Sequence, residues 1–272
     1  MRTGQKRIAL VAALSVMYSA PTVGQWLVYP TAGVPRLADG KPNLVAPTPR
    51  TADGKPDLSG LWEPDTQGAT AAPVAGGALI PPEFVDIGSR LKGGLPYRSW
   101  ALELRNARRA DNNKDNPDGQ CLPLSILQMH SHPFPRKVLQ VPGLVGILYE
   151  KNIEFRQIFT DGRPLPIDPQ PSWKGYSSGT WQGETLVVQT NGIRDGTWID
   201  GSGNPLTDAA KVMERFRRPN YGNLEIEITV EDLKAYTAPW TVKINQHIKL
   251  DTDLLEYVCL ENERDRPHMV GK

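Results

Sequence analysis

Residues 156–190 read RQIFTDGRPLPIDPQPSWKGYSSGTWQGETLVVQT, a run that joins strand-like segments through a proline-rich one. Its two ends are rich in β-branched and aromatic residues and are bounded by turn residues, which is typical of strands. Between them lie an Asp-Gly turn and a segment with four prolines, which cannot continue a strand or a helix. We therefore expect three strands here, the first separated from the other two by a stiff crossing segment.

The same strand pattern continues on both sides of this stretch. We predict strands at 137–150 (interrupted at Pro142-Gly143), 153–160, 176–181, 185–190, 211–217, 224–231, 240–249 and 254–260. Short turns and almost no helix separate them, which indicates an antiparallel sheet folded into a sandwich or closed into a barrel. The fold that we favour is all-β, an antiparallel lipocalin-like barrel of about eight strands in residues 121–272.

Upstream of the barrel, the sequence predicts an extended arm over residues 25–120, rich in proline and glycine. Its apolar spacing indicates one helix, at 97–110. The segment RLADGKPNL at 36–44 is echoed by RTADGKPDL at 50–58, and each copy contains an Asp-Gly turn. We expect residues 58–62 to dock the arm as an edge segment, and residues 66–77 to form a linker.

The amino terminus has the order of a secretory signal peptide, which we predict over residues 1–24. Three basic residues precede a short apolar run at 8–20, and small residues follow it. The run is shorter than the about 20 residues that a membrane span needs, so no span is expected after cleavage. We predict a periplasmic or secreted protein. Its formal charge falls from +1 to −2, since 1 − 3 = −2, and no basic stripe indicates nucleic acid.

The chain has two cysteines, Cys121 and Cys259. Export would place both in an oxidising compartment, where a disulfide is the expected state. The bridge would span 259 − 121 = 138 positions and stabilise the fold by roughly 4–5 kcal/mol on the chain-entropy model. The alternative is a pair of buried thiols.

Strand parity identifies polar residues on faces that are otherwise apolar. In 224–231 the alternation is regular, with Leu224, Ile226, Ile228 and Val230 inward. By the same count, four polar residues are expected to point inward, namely Gln157, Glu214, Gln246 and Glu256. Two readings of these residues stay open. Either Glu214 and Glu256 pair with arginines such as Arg156 or Arg215, or they line a ligand cavity together with the amides and Tyr149.

A glutamate facing a cavity would have a raised pKa and would serve as a general acid or base. His130-Ser-His132 offers a second candidate, because residues i and i+2 of an extended chain point to one side. These histidines would carry protons, bind a metal with a carboxylate, or be ordinary loop residues. No Asp or Glu adjoins them, so we expect no metal. His247 is predicted to face solvent.

Arginine and aromatic residues within and just after residues 156–190 are the predicted ligand contacts. Arg156 and Arg163 would hold a carboxylate or phenolate, and Tyr176 and Trp198 would provide flat apolar walls. The sequence contains no nucleophile elbow, phosphate-binding glycine loop, dinucleotide fingerprint or zinc-knuckle spacing. We therefore expect no cofactor.

These features predict an exported barrel that binds a small, aromatic, partly anionic molecule such as a phenolic acid. We lean towards a cofactor-independent acid–base enzyme of the lyase or decarboxylase type. In that enzyme Glu214 or Glu256 would move the proton, with His130 or His132 as the alternative carrier. The rival functions are a ligand carrier or sensor without catalysis, and a structural envelope protein with a filled barrel.

Long motifs across the mature chain also carry a family resemblance. They are RTADGKPDLSGLW at 50–62, RQIFTDGR at 156–163, GYS at 175–177, TLVV at 185–188, ERFRR at 214–218 and DLLEYVC at 253–259. With these motifs the chain resembles a large family of exported bacterial proteins, abundant in soil bacteria. The resemblance implies an exported, cysteine-bridged β-barrel and transfers no chemistry. Where it leads us to expect Gly-His-Pro, this chain has Gly203-Asn204-Pro205, so a role for that histidine would be lost here.

Overall fold

The computed structural model describes residues 30–66 and 80–261. The predicted signal peptide and nearly all of the predicted linker lie outside these residues. Inside them, no helix combines the length and the hydropathy needed to cross a membrane.

Within the described residues, nine strands form a closed barrel, and two further strands form a small ribbon. The barrel order is β1, β11, β10, β9, β6, β5, β4, β3, β2, and the ribbon is β7–β8. The elements are, in chain order, β1 (Gly60–Pro64), α1 (Pro82–Val85), α2 (Ser99–Ala110), α3 (Ile126–Ser131), β2 (Arg136–Val141), β3 (Leu144–Tyr149), β4 (Phe155–Phe159), β5 (Tyr176–Gln182), β6 (Thr185–Asn191), β7 (Thr197–Trp198), β8 (Pro205–Leu206), β9 (Lys211–Asn220), β10 (Asn223–Glu231) and β11 (Trp240–Ile248).

The barrel has a closed sheet, as predicted, but it has nine strands and is not wholly antiparallel. An odd number of strands cannot alternate in direction all the way round a closed ring, so one neighbouring pair must be parallel. That pair is β4 and β5, which align Ile158 with Ser177 and Phe159 with Ser178. Because parallel neighbours need a crossover connection, the chain returns through residues 160–175, here called the crossing. The one parallel strand pairing of the barrel therefore lies within residues 156–190.

Two glycines allow the crossing to lie close against the chain that follows β6. Gly175 has φ +62°, and a Cβ at this position would lie 2.3 Å from the carbonyl oxygen of Asn191. Gly192 has φ +67°, and its Cβ would lie 2.4 Å from Cγ of Pro169. The backbone of Ser172 makes two hydrogen bonds to this following chain. Its N–H donates to the carbonyl of Gly192, and its carbonyl accepts from the N–H of Arg194. The crossing is thus held in one position by backbone contacts.

The segment predicted to dock the arm as an edge is a full strand that closes the barrel. β1 pairs with β11 through Trp62 and Ile248, and with β2 through Trp62 and Arg136. The side chain of Trp62 is fully buried, and its indole N–H donates to the carbonyl of Leu58. The barrel therefore begins well before residue 121, which corrects the predicted domain boundary.

Residues 254–260, which were predicted as the last strand, form no strand. Since β1 already occupies the free edge of β11, the chain leaves the barrel after Ile248. Its one backbone β-bridge to the barrel region joins Lys151 and Tyr257, and the N–H of Leu255 donates to the carboxylate of Glu150. The disulfide between Cys121 and Cys259 joins this segment to the loop before α3. The alternative of two free thiols is therefore excluded.

The remaining predictions on elements are largely confirmed. The predicted helix at 97–110 is α2, which begins two residues later. Alternation in β10 is confirmed, with its four apolar residues buried, namely Leu224, Ile226, Ile228 and Val230. The two short helices α1 and α3 were not predicted. Every residue of α3 is buried, and its N-cap Ser125 accepts a hydrogen bond from the N–H of Gln128.

Helix α3 ends inside the barrel. Its residue His130 is contacted by Glu214 of β9, Arg156 of β4, Gln246 of β11 and Arg136 of β2. These strands come from different parts of the ring, so a residue that contacts all four lies in the interior. Part of the interior is consequently filled by protein, which a plain count of strands does not indicate.

Candidate functional site

Three buried side chains form the polar centre of the barrel, here called the Glu214 cluster. Glu214 accepts hydrogen bonds from Nη1 of Arg156 at 2.9 Å and from Nε2 of His130 at 2.7 Å. Arg156 also contacts the second carboxylate oxygen and the hydroxyls of Ser177 and Thr190. The sequence left two hypotheses open for Glu214, an ion pair with an arginine or a place in a ligand cavity. The ion pair with Arg156 is confirmed.

Strand alternation brings the members of the cluster together. In β9, Glu214 points inward between Val212 and Phe216, as predicted. In β4, the inward residues are Arg156 and Ile158, whereas Gln157 faces outward with Phe155. The prediction that Gln157 points inward is wrong, because a shift of one residue moves every side chain to the other face. The arginine is stabilised inside by a carboxylate from a strand far along the chain.

The charge on Arg156 determines the protonation of Glu214. Burial by itself would raise the pKa of Glu214, but the charge of Arg156 and the hydrogen bonds from Arg156 and His130 outweigh burial. The pKa of Glu214 is lowered to about 2. This contradicts the predicted raised pKa, since the carboxylate stays ionised at neutral pH and has no proton to give.

His130 is the group in this cluster with a free proton-accepting atom. Burial lowers the pKa of His130, although Glu214 opposes the shift, so the imidazole is neutral near pH 7. A neutral ring that donates from Nε2 to a carboxylate has its lone pair on Nδ1. His130 Nδ1 is buried and has no hydrogen-bond partner in the described residues. The oriented ring can therefore accept a proton at Nδ1.

Two glutamines, Gln128 in α3 and Gln246 in contact with that helix, also have buried amide atoms without partners among the described residues. Gln246 donates from Nε2 to the carbonyl of His130 at 2.8 Å, but its Oε1 has no partner among residues 30–66 and 80–261. The same holds for both amide atoms of Gln128. Most buried polar atoms in proteins are hydrogen-bonded, so this group of atoms is unusual and marks a polar region within the barrel.

The two histidines do not act as a pair. His130 lies in α3 and His132 is the C-cap of that helix, so the predicted extended geometry is wrong. His132 faces Asp118, with 3.8 Å between Nε2 and Oδ2, and Asp118 is in turn bonded to Lys151. In the part of the chain that the structure describes, no group of three or more His, Cys, Asp or Glu residues could hold a metal ion.

Two further predictions are corrected. Glu256 lies exposed in the segment after the barrel, so it takes no part in the interior. His247 does lie on the outward side of β11, as predicted, but it is not simply solvated, because its Nε2 lies 2.8 Å from Glu63.

A groove opens in the barrel wall beside the Glu214 cluster. Strands β4 and β5 are paired over two residues only, at the end of β4. The opening between residues 153–159 and 172–177, here called the β4–β5 groove, has a volume of about 540 Å³. Four aromatic residues line it, namely Phe155, Phe159, Trp173 and Tyr176. Arg156 and Ser177 also line it, so the Glu214 cluster lies directly behind its inner wall.

Three cations lie in or beside the groove. Lys174 lines the groove, pairs with Glu154 and donates to the carbonyl of Leu124 at 3.3 Å. The guanidinium of Arg194 stacks on Trp173, 4.4 Å from the ring centroid. That of Arg163 stacks on Phe159 at 3.9 Å and pairs with Asp161. Arg194 forms no ion pair with any described residue, which leaves its charge available at the rim.

The predicted ligand-binding residues are thus divided among three places. Arg156, Gln157 and Tyr176 line the groove, and Arg163 lies at its edge. Tyr149 and Gln246 are buried in the interior, where burial raises the pKa of Tyr149 to about 12. Trp198 lies elsewhere, stacked under Arg108 of α2.

Lys174, Glu154, Arg194 and Gln128 were not among the predicted site residues. No periodic signal could have identified the first three, because their positions depend on how the crossing packs. Gln128 lies in a short helix that the sequence analysis did not predict.

Comparison with known proteins adds no assignment. No family model matches the chain, and no curated protein matches it either.

Proposed function

We propose that the protein binds a small, flat, aromatic molecule in the β4–β5 groove. The observation that carries this proposal is the groove itself, with its volume of about 540 Å³ and its four aromatic walls. Pockets for small molecules commonly have volumes of about 300–1,000 Å³ and are lined mainly by apolar side chains. Phe155 and Tyr176 are 64% and 39% exposed, so their faces are available for contact.

A partly anionic ligand is favoured by the charge balance around the groove. Lys174 is neutralised by Glu154, and Arg156 is neutralised by Glu214. Arg194 is left with its charge uncompensated by described residues, and it is pre-positioned by stacking on Trp173. A guanidinium held in this way suits a carboxylate, which accepts two parallel hydrogen bonds from it. Aromatic or phenolic acids combine the flat ring with that charge.

The proposal includes a lipocalin-like barrel and an oxidising compartment. Most neighbouring strands are consecutive in sequence, which resembles the up-and-down order of lipocalins. The ligand site proposed here differs from theirs, because it opens through the wall while α3 fills part of the interior. A periplasmic or secreted location is supported by the disulfide, which is typical of oxidising compartments.

A second candidate function, acid–base catalysis of the lyase type, is favoured by one specific observation. Glu214 holds His130 in the tautomer whose Nδ1 is free to accept a proton, and Arg156 connects this pair to the groove wall. A carboxylate that orients a neutral histidine is a common arrangement for a general base. In this version the bound molecule reaches past Arg156 into the interior, His130 takes a proton from it at Nδ1, and Glu214 stabilises the resulting imidazolium.

Calorimetric titration of the purified protein with benzoate, 4-hydroxybenzoate and phenol tests the binding proposal. We expect the two acids to bind more tightly than uncharged phenol. Phe155→Ala and Arg194→Gln should each weaken benzoate binding about tenfold, which corresponds to about 1.4 kcal/mol. The matched controls are Leu139→Ala, an exposed apolar residue on β2, and Arg36→Gln, an exposed arginine in the arm. Equal affinities for both groove variants and both controls would rule the groove out.

Mass spectrometry of the protein incubated with the same acids distinguishes an enzyme, which forms products, from a carrier, which only binds the acid. If the protein is an enzyme, His130→Gln should bind the acid normally and lower turnover by a factor of about 100 or more. Binding without any product in the wild type would instead support the carrier. Unchanged turnover in a folded His130→Gln variant would refute His130 as the base.

A further inference from the structure

We propose that Lys174 is a nucleophilic lysine that captures the carbonyl carbon of an aldehyde or ketone seated in the β4–β5 groove, forming an imine. The inference rests on the proposed function, because it assumes that the groove holds a small aromatic molecule. It adds a substrate class, small aromatic carbonyl compounds, and a residue that reacts with them.

The position of Lys174 is the first support. Lys174 is one of the residues that line the groove, and its side chain is only 11% exposed, so the amine is largely shielded from bulk water. The ring of Tyr149 lies 5.8 Å from Nζ, and the carbonyl of Leu124 accepts one of its hydrogen bonds. A lysine held by these contacts presents its amine in a defined place, unlike an exposed lysine on a flexible stem.

The second support is a proton acceptor in direct contact with the amine. Glu154 pairs with Lys174 through Oε2, and its other oxygen, Oε1, is buried without a partner among the described residues. Imine formation needs a group that first takes a proton from the ammonium and later returns it. Glu154 can do both, and Oε1 has the lone pairs to bind the proton or a water molecule in transit.

Burial, and not the neighbouring charges, shifts the amine towards its neutral form. Burial lowers the pKa of Lys174, Glu154 opposes this effect, and the nearby charge of Arg156 adds to it. Tyr149 faces the same amine and is itself uncharged, because its pKa is raised to about 12. A lysine with a lowered pKa in a partly apolar site is a typical imine-forming residue.

The reaction balances without any oxidant or reductant. Glu154 takes a proton from the Lys174 ammonium, and the neutral nitrogen forms a bond to the carbonyl carbon. The nitrogen then loses a second proton, which passes to the carbonyl oxygen and makes it the hydroxyl of a neutral carbinolamine. That hydroxyl leaves as water with the proton returned by Glu154, and the C–N bond becomes C=N. One ammonium and one carbonyl compound thus give one protonated imine and one water, and Glu154 is again a carboxylate.

Reductive trapping with benzaldehyde and cyanoborohydride, followed by peptide mapping, tests this inference. We expect Lys174 to be alkylated at least tenfold faster than an exposed lysine such as Lys41. Lys174→Arg, which keeps the charge but forms no imine, should abolish the adduct at this position. The matched control is Lys151→Arg, because Lys151 is also buried and paired with a carboxylate, Asp118, outside the groove. That control should leave labelling of Lys174 unchanged.

Two further measurements make the outcome decisive. Glu154→Gln should slow trapping about tenfold or more, and benzoate should protect Lys174 in the wild type, which requires no variant to fold. If benzoate binds in the groove but Lys174 is labelled no faster than Lys41, the inference is overturned and the proposed function survives. If neither benzoate nor benzaldehyde binds there, both fail together.

Discussion

Glu214, Arg156 and His130 are almost entirely shielded from solvent, so each depends on the others for its charge state. Removing one partner of a buried ion pair is costly, because the remaining charge is left in a medium of low polarity. The same residues orient the imidazole that could act as a base. At the scale of single residues, stability and candidate chemistry are therefore coupled in this cluster.

Glu214→Gln should lower the free energy of unfolding at pH 7 by about 3–5 kcal/mol, because Arg156 loses its counter-charge. The pKa of Glu214 falls from the reference value of 4.5 to about 2 on folding. Its ionised form therefore stabilises the fold above pH 4.5, and this contribution of roughly 3 kcal/mol is lost as the pH falls towards 2.

Urea titrations of the wild type and the variant at pH 7 and pH 3 measure this difference. We expect it to be smaller at pH 3. The control is Glu225→Gln, which breaks surface pairs with Arg217 and Lys243 and should cost about 1 kcal/mol or less. A difference of the same size at both pH values would contradict the assignment. His130 also has a lowered pKa, so the wild type should already lose stability as the pH falls below 6.5.

At the scale of elements, the crossing makes both the parallel pair and the groove possible. It brings the chain back beside the end of β4, where the parallel contact is limited to the last two residues of β4 and the second and third residues of β5. Its last residue, Gly175, has a positive φ and lies against the carbonyl of Asn191. The groove therefore depends on a close backbone approach as well as on its lining side chains.

Gly175→Ala should destabilise the protein and weaken benzoate binding, because the new Cβ would lie 2.3 Å from the carbonyl oxygen of Asn191. The control is Gly183→Ala, whose φ of +58° resembles the +62° of Gly175 but whose Cβ would meet nothing within 4 Å. Gly183→Ala should lower the free energy of unfolding only by the cost of placing an alanine at positive φ, about 1–2 kcal/mol. We expect Gly175→Ala to cost at least about 1 kcal/mol more in denaturant unfolding, since overpacking adds strain. Equal losses would show that the close approach is unimportant.

On the scale of the whole molecule, the barrel closes through segments that are distant in sequence. β1 joins β11 and β2, and the disulfide ties the segment after the barrel to the loop before α3 across 138 positions. That loop also carries Asp118, which contacts His132 and Lys151. Neither cysteine lines the groove, although Pro123 of the same loop does.

Replacing both Cys121 and Cys259 by serine should lower the free energy of unfolding by about 2–5 kcal/mol, because the unfolded chain regains freedom. The far-ultraviolet circular dichroism spectrum, which reports the strands of the barrel, and the affinity for benzoate should be unchanged. Guanidinium titrations with and without reductant measure the effect, and reductant should destabilise only the wild type. If the double variant were as stable as the oxidised wild type, the bridge would contribute nothing to stability.

Local side-chain patterns were enough to predict the barrel strands β2 to β6 and β9 to β11, the helix α2 and the inward position of Glu214, but not the small ribbon of β7 and β8. The sequence also identified the cysteine pair. Only the tertiary structure decided that Gly60–Pro64 closes the barrel, that Arg156 rather than Gln157 points inward, and that α3 enters the interior. These features depend on which distant segments meet, as when Arg156 pairs with Glu214 across 58 positions. The groove likewise exists because two strands are parallel, which follows from ring closure and not from local pattern.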